Sequence, residues 1–318
     1  MAAVPDISIV ICTVDRRELL LKAIRSCIAQ ASPTGPTFEI IIVDNSAKGT
    51  TRDLRTFFQS ASIPLHWIEA HPANIAVARN AGISASSGGA VAFLDDDEEA
   101  GPDWLAHLFS IMQETGADAV VGAVRPNPAV QPPSWDPDAS IFGRQWDRKD
   151  GTPVFPAGPN KTRAFSIGTG NSLWRRKTCF TDQSVFDERF GLSGGEDIDL
   201  FQRLYRRGRR FVWCGSGYVY EYVPQNRMTL RHLAERSYCG GQIYAVTTIR
   251  NARSAYLAVL HLSIQGLLQS ITCLFALPGV AAESLWAKKG TSPRLAMLIF
   301  KLAAAVGKIT WFKRHALY

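Results

Sequence analysis

Ala90-Val91-Ala92-Phe93-Leu94-Asp95-Asp96-Asp97 is the stretch from which the fold is read. Residues 90–94 form a short apolar run of the kind that becomes a buried strand. The run passes directly into three carboxylates. Adjacent carboxylates repel one another unless something cationic neutralises them. A hard divalent ion held by one or two carboxylates and by phosphate oxygens is one answer. An acidic turn at a helix start is the other, and Glu98 and Glu99 suit it.

Working outward, similar apolar runs at 7–12, 38–43, 65–68 and 119–124 predict further strands. Helical spacing predicts helices over 17–30, 51–60 and 75–85, and Pro102 opens another. This alternation predicts an α/β fold: a mostly parallel sheet flanked by helices. Ligands of such sheets bind at the carboxyl ends of the strands. Thr13 and Asp15, Asp44 and Asn45, and Asp95 to Asp97 therefore converge on one crevice. Proline recurs at 126, 128, 132, 133, 137, 153, 156 and 159, with Trp135 and Trp146 between, so 125–165 reads as a long loop or lid. Order returns at 168–174, with a helix over 197–207 and strands over 210–214 and 218–222.

Composition narrows the class. With 318 residues, 46% of them hydrophobic and 20% charged, the chain is not disordered. Six cysteines with no C-x-x-C pair exclude a disulfide-rich module, disfavour a zinc site and suit a reducing cytoplasm. The N-terminus has no basic region ahead of its apolar run, so it does not read as a secretory signal. The net charge of +7 is uneven: residues 1–100 carry −4, 203–253 carry +8 and 254–318 carry +6. A basic tail suits nucleic acid or anionic lipid. Residues 254–282 contain no charge, which favours lipid. That run is long enough to span a bilayer, where about 20 apolar residues suffice, but His261, Gln265, Gln269 and Pro278 dilute it. Arg294, Lys301 and Lys308 fall seven residues apart, opposite Leu298, Leu302 and Ile309, the pattern of a helix lying in a membrane surface. The other reading is a pair of helices packed on the globular domain.

Several residues stand out for chemistry. Asp44 at a strand end suits a base or ribose, or simply a turn. Arg79 suits a phosphate, or a surface ion pair. In Gly194-Gly195-Glu196-Asp197 a carboxylate opens a helix, as a general base for an acceptor hydroxyl or as an N-cap.

Together these stretches resemble the inverting family 2 glycosyltransferases of the GT-A fold. IVICTVDRR (9–17), IIVDNS (41–46), ANIAVARNAGI (73–83), FLDDD (93–97), GTGNSLWRR (168–176) and FDERFGLSGGEDIDLFQRLYRRG (186–208) carry the resemblance, which covers about residues 5–250. VPQNRMTLRHLAERSYCGGQ (223–242) resembles the bacterial succinoglycan-type exopolysaccharide enzymes. The resemblance implies that Thr13, Asp15 and Asp44 hold base and ribose, with Arg79 near base or diphosphate. Asp95 and Asp96 would sit at the donor, and Asp97, with Asp95, at Mg2+ or Mn2+. Asp197 would be the base, with Glu196 beside it. Asn171 and Trp174 would line the acceptor side, and Arg227 and Arg231 would meet a diphosphate.

It further implies single-sugar transfer from a nucleotide sugar such as UDP-glucose. The acceptor would be a saccharide, lipid-diphosphate-linked, at an anionic membrane surface on the cytoplasmic face of the inner membrane, with no nucleic-acid partner. The Pro-rich segment would close over the donor. The organisation expected is a glycosyltransferase domain over 1–253 (nucleotide-sugar half 1–124, loop 125–165, acceptor half 166–253) and a membrane-associating helical region over 254–318. Ala76 departs from the usual glycine, Val14 from a frequent tyrosine, and Glu221 from a frequent metal-ligating histidine. The Q-x-x-R-W signature of processive synthases is absent. A nucleotidyltransferase, a non-catalytic nucleotide-sugar-binding component of a polysaccharide assembly, and a nucleic-acid binder are the competing readings.

Overall fold

The computed structural model describes residues 4–155, 168–192, 194–286 and 291–312. The first half alternates strand and helix: β1 (Ile7–Thr13), α1 (Arg17–Ile28), β2 (Phe38–Asp44), α2 (Arg52–Phe57), β3 (Leu65–Glu69), α3 (Ile75–Ala85) and β4 (Ala90–Asp95). The second contains β5 (Glu98–Ala100), α4 (Trp104–Thr115), β6 (Ala119–Pro128), β7 (Pro153–Val154), β8 (Ser172–Arg175), α5 (Arg176–Cys179), α6 (Glu196–Arg206) and β9 (Phe211–Val223). Three helices follow: α7 (Leu230–Arg250), α8 (Ala255–Trp286) and α9 (Pro293–Ile309).

The strands form one sheet of order β3-β2-β1-β4-β8-β6-β9-β5, with β7 also on β9. β3, β2, β1 and β4 are parallel, with Thr13 opposite Asp44 and Cys12 opposite Asp95. This register brings three strand ends to one rim. Beyond β4 the sheet is mixed, because β8 runs antiparallel to both β4 and β6. Successive side chains of a strand face opposite layers. Ile7, Ile9, Ile11, Ile40 and Ile42 pack with Leu20, Ile24 and Trp104 on one side. Val10, Ile41, Val43 and Phe93 pack with Trp174, Phe186 and Phe201 on the other.

Three elements differ from the sequence reading. The acidic run does not begin a helix. It turns sharply into β5, which pairs antiparallel with Glu221 to Val219 of β9. α4 starts only at Trp104, so its own dipole is not set at Asp95 to Asp97. The strands expected at 210–214 and 218–222 are one strand, in which β9 bulges between Cys214 and Val219 while its partner β6 advances only from Gly122 to Val124. The Pro-rich segment is packed over its described part. Val124 bridges Arg144, β7 pairs with β9, and Phe142 is buried with Val223, Met228, Leu233 and Phe300. The remainder of the expected lid, from 156 to 165, lies outside the described residues.

α9 lies between α7 and α8. A Cβ at Gly241 of α7 would run into the carbonyl oxygen of Ala304, and one at Gly307 into that of Tyr238. The backbones meet there because no side chain intervenes. Gly241→Ala is expected to cost about 1–3 kcal/mol through overpacking, read as a lower Tm. The basic stripe expected on α9 is broken. Lys301 is exposed, but Lys308 turns inward and its Nζ donates to Gln269 Oε1 of α8 at 2.9 Å. Leu298, Leu302 and Ile309 are half-buried, and the exposed apolar face belongs to α8 instead.

Candidate active site

The rim is stitched from the ends of β1, β2 and β4. Asp44 accepts from the Ser46 backbone N–H at 2.9 Å and the Thr51 hydroxyl at 2.5 Å. This closes the turn after β2. Asp15, in the left-handed region at φ 55°, accepts from the Ser46 and Thr50 hydroxyls at 2.6 and 2.9 Å. Those bonds hold its carboxyl below the usual range. Thr13 Oγ1 donates to Asp96 at 2.8 Å, so β1 grips the acidic turn directly.

Seven carboxylates, of Asp95, Asp96, Asp97, Glu98, Glu196, Asp197 and Glu221, cluster with the guanidiniums of Arg16, Arg79, Arg144 and Arg227. Arg16 contacts Asp96 at 2.9 Å and Asp97 at 3.1 Å. Arg227 contacts Asp97 at 3.4 Å and approaches Glu221 at 3.9 Å. Glu98 accepts from the Asp95 backbone N–H at 2.9 Å. Arg144 donates to the carbonyls of Gly122, Gly168, Gly170 and Asn171, holding the 168–171 loop against the turn. Gly170 lets the loop approach the turn closely: a Cβ there would lie 2.5 Å from Asp95 Oδ2, and the carboxylate would have to shift.

Acid outnumbers base, and the titrations follow. Burial, opposed by Arg16, pushes Asp96 up to about 6. Burial and Asp95 raise Asp97. Burial and Asp95 push Glu98 well above its ordinary value, and burial and Asp97 push Glu221 up to about 7. Among the described residues no group of three His, Cys, Asp or Glu side chains could hold a metal ion by itself. The donor set is hard oxygen with surplus negative charge. It fits Mg2+ or Mn2+ only with further oxygens from a bound diphosphate.

Arg79 joins the two carboxylate groups. It projects from α3, whose N-cap Asn74 accepts from the backbone N–H groups of Ala76 and Val77. Its guanidinium is buried over the Phe186 ring, donates to Glu196 Oε1 at 2.5 Å and lies 3.6 Å from Asp95. Burial opposes its charge, but Glu196, Asp95 and Asp197 outweigh burial and raise its pKa. Gly194 and Gly195, at φ 77° and 98°, turn the chain so that Glu196 and Asp197 open α6. Burial and the adjacent Glu196 push Asp197 up to about 7, against the opposing pull of Arg79. Removing the Glu196 charge by Glu196→Gln is therefore expected to move a pH–rate limb governed by Asp197 to lower pH.

Three expected site residues lie elsewhere. Trp174 is fully buried against Phe201, with ring centroids 4.7 Å apart, and lines no acceptor surface. Asn171 is also fully buried. Its side chain accepts from Trp104 Nε1 at 2.7 Å and donates to the carbonyls of Ala123 and Gly217 at 2.6 and 2.9 Å. Both are structural: Trp174 lies in β8, a central strand with both neighbours in place, and Asn171 immediately precedes it. Arg231 is on the surface of α7, paired with Glu235 at 2.9 Å. Conversely, Arg16, Arg144 and Glu98 belong to the cluster and were missed. Arg16 directly follows Asp15 in the turn after β1, which is a usable signal. Arg144 sits in a Pro-rich stretch that carries none.

The family model for glycosyl transferase family 2 matches residues 8–180. The chain belongs to this family and is a glycosyltransferase. It is 33% identical over 239 residues to the succinoglycan biosynthesis protein ExoM of Rhizobium meliloti (strain 1021), covering 75% of this chain and 74% of that protein. It is 29% identical to the glucosyl-dolichyl phosphate glucuronosyltransferase of Haloferax volcanii, covering 74% of this chain and 75% of that protein. The fold is shared with the mannosyltransferase PcManGT of Pyrobaculum calidifontis, solved with GDP-Man and Mn2+. The TM-score there is 0.63 at 18% identity, over 98% of this chain and 89% of that one. It is shared also with S. aureus TarS 1-349 in complex with UDP-GlcNAc, with a TM-score of 0.58 at 16% identity, over 80% of this chain and 70% of that one.

Proposed function

We propose that this glycosyltransferase moves a single sugar, with inversion, from a nucleoside-diphosphate hexose to a hydroxyl of a saccharide acceptor. UDP-glucose is the proposed donor, and the acceptor is carried on a lipid diphosphate in cell-surface or exopolysaccharide synthesis. The carrying observation is Arg79, which ties Asp95 on the donor rim to Glu196 beside Asp197. A base raised to about 7 next to a nucleotide-binding rim is the arrangement a direct displacement needs.

Asp197 takes the proton of the acceptor hydroxyl, whose oxygen attacks the anomeric carbon on the face away from the leaving diphosphate. Thr13, Asp15 and Asp44 shape the pocket for base and ribose. Arg16 and Arg227 are the cations nearest the acidic turn, aimed where negative charge grows on the leaving group. Asp97 and Asp95 would hold Mg2+ or Mn2+, which, when bound, neutralises the diphosphate. We place the enzyme on the cytoplasmic face of the cell membrane, held there by residues 254–318, whose α9 packs on the catalytic unit over 1–253. The test is incubation with sugar nucleotides and a lipid-diphosphate saccharide, with product analysis by mass and anomeric NMR. One added hexose of inverted configuration is expected. A retained anomer, a transferred nucleotide or a polymer would overturn the proposal.

A further inference from the structure

We infer that α8 lies in the plane of an anionic membrane surface and does not cross the bilayer. The inference rests on the membrane association proposed above and fixes its geometry. By length and composition, residues Ala255–Ala282 could span a membrane, and only 17% of their most apolar window is buried. The exposed side chains include Leu257, Leu260, Ile264, Leu267, Ile271 and Phe275. At 3.6 residues per turn they fall within an arc about 120° wide. Leu262, Gly266 and Cys273 face the other way and are buried.

What α8 covers decides its orientation. Gly266 packs against Ala305 and Ile309, so α9 runs antiparallel along it. Gln269, at the midpoint of the apolar stretch, donates to the Lys301 carbonyl at 3.2 Å and accepts from Lys308 Nζ at 2.9 Å. A spanning α8 would carry both lysines to the bilayer centre, where charged side chains are costly. The other side of α9 is held by α7, through Gly241, Gly307 and a bond from Gln242 Nε2 to the Thr310 carbonyl at 3.0 Å. Asn251, the C-cap of α7, donates to Asp199 and Gln202 of α6. The three helices are thus layered onto the catalytic unit, and α8 is the outermost layer with its apolar face outward. Exposed Arg253 and Lys301 flank it, and residues 254–318 carry a net charge of +6. That charge repels a second copy and attracts anionic lipid.

The test uses the full chain with phosphatidylcholine vesicles, with and without 30% phosphatidylglycerol. Flotation with the anionic vesicles is expected. The Ile264→Asp/Ile271→Asp variant should stay behind by at least tenfold, with its binding of Mn2+–UDP and Mn2+–GDP and its transfer to a soluble saccharide equal to wild type. Retained transfer keeps failure of this inference distinct from failure of the catalytic reading. Depth is read from nitroxides on Leu257→Cys, Ile264→Cys, Leu268→Cys and Phe275→Cys, by collision with oxygen and with a nickel chelate. An in-plane helix gives nearly equal depths. A span gives depths at 257 and 268 that differ by about 16 Å and overturns the inference. So does absence of flotation, or a dimer that the same aspartates dissociate.

Discussion

Asp197→Asn is expected to lower the rate of sugar transfer by about 10²–10⁴-fold, the usual contribution of a positioned general base. Donor binding should be unchanged, because the carboxamide keeps the size of the side chain and Asp197 lies across Arg79 from the donor rim. The wild-type rate should climb with pH through about 7 and then level off, since burial and Glu196 raise the Asp197 pKa and only its ionised form accepts a proton. In the variant that limb disappears. Single-turnover kinetics and calorimetry separate the two effects. Equal loss of binding and turnover would remove Asp197 from the role of base.

Arg79→Met is the second large effect, and it falls on stability. Glu196 is 6% exposed, and its Oε2 already has no hydrogen-bond partner. Removing Arg79 leaves its Oε1 unpaired as well. Breaking a buried pair from one side costs about 3–5 kcal/mol, because the remaining charge has neither water nor partner. Denaturant midpoints should show this, and Arg79→Met/Glu196→Gln should recover much of it. The opposing pull of Arg79 on Asp197 is also lost, so the pH limb of any residual activity should move upward. A midpoint unchanged by Arg79→Met would mean that Glu196 finds another partner.

The rim at the ends of β1, β2 and β4 was legible because it is built from strand ends. The runs at 7–12, 38–43 and 90–94 each stop at a polar residue, and parallel register places those stops side by side. α3 was legible to its observed bounds, Ile75–Ala85, because Asn74 caps it and Ser86 ends it. The side proposed for the acceptor was less legible. Asn171 and Trp174 occupy motif positions, but insertion of β8 between β4 and β6 turns Trp174 into the core, and Asn171 just before it is bonded to Trp104 and to the carbonyls of Ala123 and Gly217. Arg144 enters the cluster through its backbone bridge to Val124 and its bonds to the carbonyls of the 168–171 loop, contacts that no local pattern encodes. The tail was read as basic on α9 and apolar on α8. Sequence spacing cannot tell which face a neighbouring helix covers, and α7 covers the face of α9 that carries Gly307.

The most direct test of the account is calorimetric titration of wild type and Asp97→Ala with UDP-, GDP-, dTDP- and CMP-sugars, with and without Mn2+. Asp97 lies between Arg16 and Arg227 with surplus negative charge around it. Binding of one sugar nucleotide is therefore expected to need Mn2+ and to be lost in Asp97→Ala, whose melting shows it still folded. Binding of equal strength without metal and in the variant would contradict the account, and so would binding of none of the four by wild type.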